Sequence, residues 1–358
     1  MKSIGMAKKQ YSVILLLVVS LIFIGFTNFT QADDVINLRY ATHITAGHRQ
    51  YVEGLGPWLK SIEQATNGKV KITAYPSGTL CKGKDSLEAV KGGIADIATA
   101  FIGLFPGRFP VTEVLFLPCI CMDPNATAQT STRAMMAAYK EFSEMQAEFK
   151  DVKLLFLHSI QPAFLATRDK PIKKLEDLKG MKLRIPGVYI TNFINRAGGV
   201  PLLLPPAGIY EAMEKKVIDG YAYSWDGFMS RRMYEVTNYV LDNRWYVGAF
   251  ITIMNRNTWN RLPEDVKKAI DKVSGLPVAL RCAKAIDADT EPALAKCKER
   301  KIPVFTLTKE QQKHWREAAK PVWADWAKDV EKKKGLSVER AQAIVNETIK
   351  LYDENAKQ

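Results

Sequence analysis

Residues 37–75 read NLRYATHITAGHRQYVEGLGPWLKSIEQATNGKVKITAY, and two periods alternate along them. NLRYAT at 37–42 is a short run of strand-formers. From about His48 to Thr66 the apolar residues Tyr51, Leu55, Trp58, Leu59 and Ile62 recur at helical spacing, and Asn67-Gly68 supplies the stop. Val70 to Tyr75 is the next strand, closed by the turn Pro76-Ser77-Gly78. A helix over Lys84 to Gly92 and a buried strand over Ile94 to Ala100 continue the alternation. A β-α-β order of this kind predicts an α/β fold, an open and largely parallel sheet with helices on both faces.

Outward from that stretch the pattern persists. Leu154 to His158, Ala163 to Thr167, Met181 to Ile185, Ile218 to Tyr223 and Phe250 to Met254 read as strands, and Pro205 to Lys216 turns helical after its prolines. Beyond Pro263 the chain is mostly helical, with long amphipathic segments at Glu264 to Lys301 and Lys309 to Lys332. No repeat or low-complexity linker interrupts it. Two lobes without a linker imply a chain that crosses between them more than once.

The first 32 residues stand apart. Lys2, Lys8 and Lys9 precede the uncharged run Ser12 to Phe26, and Thr30-Gln31-Ala32 offers small residues before Asp33. That order predicts a cleaved signal peptide and a periplasmic protein. Fifteen apolar residues rise only ~22 Å as a helix, short of a ~30 Å hydrocarbon core. No later segment is apolar enough to span, so the mature chain is expected to be soluble.

The chain carries 51 basic and 38 acidic side chains, a net charge of +13, and three of those lysines fall in the leader. The remaining basic residues are scattered, which with export argues against a nucleic-acid partner and leaves a mild attraction for anions. Five cysteines are too few for a disulfide scaffold. Cys282 and Cys297 share one expected helix and lie too far apart to bond, whereas an oxidising compartment permits Cys81 to pair with Cys119 or Cys121. Cys119-Ile120-Cys121 has no second ligand cluster, and His43, His48, His158 and His314 show no metal-ligand spacing. No GxSxG or HExxH occurs, and Asp96, Glu176, Asp177 and Asp219 sit in turn and cap phrases. We therefore expect no enzyme, no metal and no cofactor.

Several phrases in order resemble the solute-binding proteins of tripartite ATP-independent periplasmic (TRAP) transporters, the DctP-like family. They are NGKV at 67–70, YPSGTL at 75–80, VKGGIADI at 90–97, LEDLKGMKLRIP at 175–186, IYEAM at 209–213, VIDG at 217–220 and WNRLPEDV at 259–266. The resemblance implies a two-lobed periplasmic binding protein fold with hinge-crossing strands and a long helix, closing over its ligand like a trap. We divide the chain as leader 1–32, lobe I 33–159 plus 249–288, and lobe II 160–248 plus 289–358. The implied role is capture of a small organic acid and its delivery to the small and large TRAP membrane subunits. The same lobes would also serve an ATP-driven (ABC) transporter or a sensor system, which is the alternative.

The resemblance places the carboxylate clamp at Arg184, at the end of a strand, where a guanidinium fork matches a carboxylate. Two positions depart from the sialic-acid members: their second arginine falls near Gln161-Pro162, and their asparagine falls on Tyr223. Phe101 replaces a polar contact after Asp96. Tyr223 and Trp225 alternate, so an extended segment would face both one way. Such a wall favours a monocarboxylate with an apolar or aromatic tail, and a second arginine in the pocket would shift the preference to dicarboxylates or sugar acids. For Phe101 and Trp225 a place in the core competes equally. His43, at the end of the first strand, is a candidate donor, and Arg168 a further candidate whose competing role is a strand-end surface arginine. Asp219 is expected to brace structure, and Gly220 to admit a close backbone approach.

Overall fold

The computed structural model describes residues 35–357. The expected leader at 1–32 lies outside them. Among the described residues no helix is long and apolar enough to cross a membrane.

The chain lays down β1 (Ile36–Thr42), β2 (Val70–Tyr75), β3 (Ile97–Phe101) and β4 (Val152–Ser159). It then builds β5 (Phe164–Thr167), β6 (Lys182–Arg184), β7 (Val200–Leu202), β8 (Gly220–Tyr223) and β9 (Tyr239–Leu241) before returning as β10 (Ala249–Asn255) and ending with β11 (Val304–Phe305). One sheet has the order β2-β1-β3-β10-β4, the other β11-β9-β5-β8-β6-β7. Three connections therefore cross between sheets: β4 to β5, β9 to β10 and, through a run of helices, β10 to β11. The first two run side by side: Ile160 N–H donates to Gly248 O at 2.9 Å and Ala163 N–H to Tyr246 O at 2.8 Å.

These crossings correct the expectation of largely parallel sheets. β1 pairs with β3 in parallel, but β10 enters the first sheet antiparallel to both β3 and β4. In the second sheet β6 runs parallel to β7 and β8, and β5 antiparallel to β8 and β9. A strand arriving from the other lobe has no crossover helix to turn it, so it enters in the opposite sense.

Local chemistry explains the element ends. Helix Gly56–Ala65 buries Trp58, Leu59 and Ile62, and Asn67 and Gly68 follow it with φ of 51° and 77°, the left-handed stop. The strand expected from Ile94 begins at Ile97, because Gly92 to Asp96 forms a turn that leaves Ile94 54% exposed. The expected helix Glu264 to Lys301 is three: Glu264–Val273, Leu276–Asp287 and Thr290–Glu299. Cys282 and Cys297 thus occupy different helices, and all five cysteines are free. Gly220 meets its neighbour as expected: a Cβ there would lie 2.4 Å from Ala166 O. Asp219 accepts a hydrogen bond from Lys182 N–H at 2.8 Å, tying β6 to β8.

The long helix Lys309–Lys334 spans both lobes. Trp326 and Trp323 donate to Pro110 O at 2.8 Å and Pro118 O at 2.9 Å, on the side of the first sheet. Trp315 packs on Phe193 at 5.7 Å, and Arg196 pairs with Asp325 at 2.7 Å, on the side of the second.

Candidate functional site

The crossing segments bring the ends of both sheets together, and the expected site residues divide among these ends. On the second sheet β6 terminates at Arg184, which is only 5% exposed. Its Nε donates to Leu204 O at 2.9 Å and its Nη1 to Ala222 O at 3.2 Å. No carboxylate among the described residues pairs with it, and burial pushes its pKa down. Two carbonyls thus fix the guanidinium while its charge stays unmatched.

Tyr223, the last residue of β8, is brought to it, with the guanidinium 5.8 Å from the ring centroid. The Tyr223 hydroxyl accepts from Arg231 Nε at 2.8 Å. Burial raises its pKa, opposed by Arg231 and Arg184, so the phenol is neutral.

Phe101 ends β3 and pairs with Phe250 across β10, rings 5.6 Å apart. Phe250 is stacked between two imidazoles, His43 at 5.9 Å and His158 at 5.2 Å. Burial lowers the pKa of His43, with His48 adding to the effect, and its Nδ1 is buried without a hydrogen-bond partner. The same holds for His158 Nδ1, where burial lowers the pKa to about 3.

The other two candidates lie elsewhere. The extended segment ends at Tyr223, and Trp225 opens the helix Trp225–Ser230. Trp225 is 2% exposed and packs on Phe164 at 4.4 Å, inside the core of the second sheet. Arg168 follows β5, at the end of the β5–β8 pair remote from Tyr223. Its Nη2 pairs with Asp169 at 2.9 Å, and its Nη1 donates to Met213 O at 2.6 Å and Ile218 O at 3.4 Å. Gln161 is also committed: its Nε2 donates to Ile286 O at 3.0 Å and its Oε1 accepts from Asp226 N–H at 2.9 Å.

Sequence reasoning passed over Tyr246, Phe250 and Arg231. Tyr246 is buried on the second crossing; burial raises its pKa, and the charge of Arg184 opposes the shift, so the two groups lie within electrostatic reach. An aromatic residue on a crossing segment was the available signal, but only the sheet pairing shows which segments cross. Between the lobes, His48 Nε2 lies 3.7 Å from Asp226 Oδ2 and Arg49 Nε 3.2 Å from Asp289 Oδ1.

The arrangement is an unmatched cation beside aromatic walls, suited to holding an acid. The described residues contain no group of three or more potential metal ligands. Comparison with known proteins places the chain in a family. A family described as Bacterial extracellular solute-binding protein, family 7, matches residues 41–329. The outer membrane transporter protein TsaT of Comamonas testosteroni is 28% identical over 302 residues, 81% of this chain and 86% of that protein. A TRAP solute-binding protein from Rhodoferax ferrireducens T118, solved with copurified benzoate, superposes with a TM-score of 0.78 at 25% identity, covering 90% of this chain and 99% of its own. A marine-metagenome TRAP solute-binding protein specific for aromatic acid ligands, solved with 3-hydroxybenzoate, gives 0.77 at 25% identity, covering 89% and 98%.

Proposed function

The chain belongs to family 7 of the bacterial extracellular solute-binding proteins, and from that premise we propose that it captures an aromatic monocarboxylate for a TRAP transporter. Binding organic acids, not transforming them, is the work of this family. The observation that carries the finer reading is Arg184, buried, fixed by two carbonyls and without a carboxylate partner among the described residues. The ligand's carboxylate supplies that partner through Nη1 and Nη2. Tyr223, Phe101 and Phe250 wall the tail, and His43 Nδ1 is a buried polar atom open to a ligand contact. Arg168 and Trp225 brace the second sheet. Benzoate and 3-hydroxybenzoate in the two similar structures fit a pocket walled this way.

The strands of the first sheet fall within 36–159 and 249–255, and those of the second within 164–241 and 304–305. This supports lobe I as 33–159 plus 249–288 and, of lobe II as 160–248 plus 289–358, the part up to Phe305. The last helix, Val338–Asn355, instead packs on lobe I, Tyr352 donating to Leu115 O at 3.1 Å and Arg340 to Glu144 at 2.8 Å. Closure follows from the ligand's higher affinity for the closed lobes, which then meet the small and large membrane subunits in the periplasm.

A thermal-shift screen of the protein from Asp33 onward against organic acids tests the reading. Ligand at a hundred times its dissociation constant adds about 2.7 kcal/mol to stability. Aromatic monocarboxylates should raise the midpoint of the wild type and leave Arg184→Ala unmoved. If dicarboxylates or sugar acids alone raise it, the aromatic reading fails; if Arg184→Ala responds like the wild type, the clamp fails.

A further inference from the structure

Tyr223 is held from two sides by the helix that follows it. Its ring presses on Gly227, where a Cβ would come 2.3 Å from Cε1 and 2.4 Å from Cζ. Arg231, the C-cap of that helix, donates to its hydroxyl at 2.8 Å. The helix starts two residues after β8 ends, so it folds back onto the last strand residue, and only glycine lets the ring lie this close.

The hydrogen-bond inventory then fixes what Tyr223 can do. A phenol has one proton and two lone pairs, and a guanidinium is a donor only. Arg231 therefore occupies a lone pair and leaves the Tyr223 proton to be given away. The ring that carries it lies beside Arg184, whose guanidinium is 5.8 Å from the ring centroid. We propose that Gly227 and Arg231 make Tyr223 a fixed donor that selects acids bearing a second oxygen, hydroxy- or oxo-substituted aromatic acids, over their unsubstituted counterparts. Gly227 sets the depth of the ring, and Arg231 is a positioning residue that sets its polarity. The inference rests on the reading of Arg184 as the carboxylate anchor.

The test is calorimetric titration with two matched pairs, phenylacetate with mandelate and benzoate with 3-hydroxybenzoate. The wild type should prefer the hydroxylated member of at least one pair by about tenfold, the worth of one well-made hydrogen bond in a desolvated site. Tyr223→Phe and Arg231→Met should erase that preference. Arg231→Lys, which keeps a donor, should retain part of it. Gly227→Ala should weaken both members of a pair by pushing the ring into the cleft. Midpoints without ligand establish that each variant folds, and if Gly227→Ala does not, the Tyr223 and Arg231 variants carry the test. No preference in the wild type, or a preference that survives Tyr223→Phe or Arg231→Met, overturns the inference and leaves the clamp standing. Wild-type affinity in Arg184→Ala removes the clamp, and the inference with it.

Discussion

Arg184 and Arg168 belong to the same sheet and stand near opposite ends of it. Both are fixed by backbone carbonyls: Leu204 and Ala222 for the first, Met213 and Ile218 for the second. They differ in the remaining partner. Arg168 has Asp169 at 2.9 Å, whereas Arg184, though buried, has no carboxylate partner among the described residues. An uncompensated buried cation costs several kcal/mol after relaxation. A fold bears that cost where a ligand restores the missing charge. Arg168 is thus completed by the chain itself, and Arg184, the proposed clamp, is left incomplete.

Removing each arginine should break the comparison in opposite directions. Arg184→Ala should weaken acid binding by about 2–5 kcal/mol, at least thirtyfold in Kd, because the ligand's carboxylate would be buried unpaired. The ligand-free protein should lose less stability than Arg168→Ala does, because the donor lost by the Leu204 and Ala222 carbonyls is offset by removal of an unmatched buried charge. Titration calorimetry and urea unfolding of one sample give both numbers, and a ligand-free variant destabilised as much as Arg168→Ala would place Arg184 among the structural arginines.

Arg168→Ala should do the reverse. Two carbonyls lose a charged donor, which costs about 1.5–3 kcal/mol of stability. The ion pair adds little to this, because the Asp169 side chain is 62% exposed. Acid affinity should stay within about twofold. A large loss of affinity with unchanged stability would return Arg168 to the site.

The first sheet buries an ionisable group differently, by keeping it neutral. His158 has its folded pKa lowered to about 3, against about 6.5 when unfolded. Above pH 6.5 neither state is protonated and nothing is lost. As pH falls below that value the unfolded chain takes up a proton that the folded chain refuses, so stability drops, by about 2 kcal/mol at pH 5. Burial raises Glu148 and Asp287, whose effect has the opposite sign at lower pH, so the difference between two curves is the measurement. Urea unfolding at pH 7.5, 6 and 5 should show His158→Gln losing less stability than the wild type on acidification. Parallel curves would mean that His158 is protonated in the fold.

Much of this was readable in advance, and the residues show why. The position of Arg184 at a strand end was legible because a strand pattern, a proline two residues later and a family phrase all fall on one short stretch. Asp219 and Gly220 were legible because a short acidic brace and a missing Cβ have few alternatives at a strand start. Trp225 was not: alternation after Tyr223 suggested an extended segment, but a helix begins there and turns the indole into the core. Strand direction was not legible either, since an antiparallel β10 depends on which sheet precedes it. Phe250 and Arg231 act through partners far away in sequence or across a helix, His158 and Tyr223, that no local period connects.

Tyr246 offers the finest version of the comparison, because it belongs to a crossing segment and to neither sheet. Its carbonyl is structural, accepting from Ala163 N–H at 2.8 Å and pinning the two crossings together. Its hydroxyl feels the charges of Arg184 and Asp226. Tyr246→Phe keeps the first role and deletes the second. It should weaken acid binding by about 0.5–1.5 kcal/mol, the net worth of one hydrogen bond, and leave the unfolding midpoint without ligand unchanged. The variant should add to Tyr223→Phe if each hydroxyl meets its own ligand oxygen, and a double-mutant cycle by calorimetry measures the coupling between them. Affinity equal to the wild type would confine Tyr246 to the hinge and leave Tyr223 as the hydroxyl that reads the ligand.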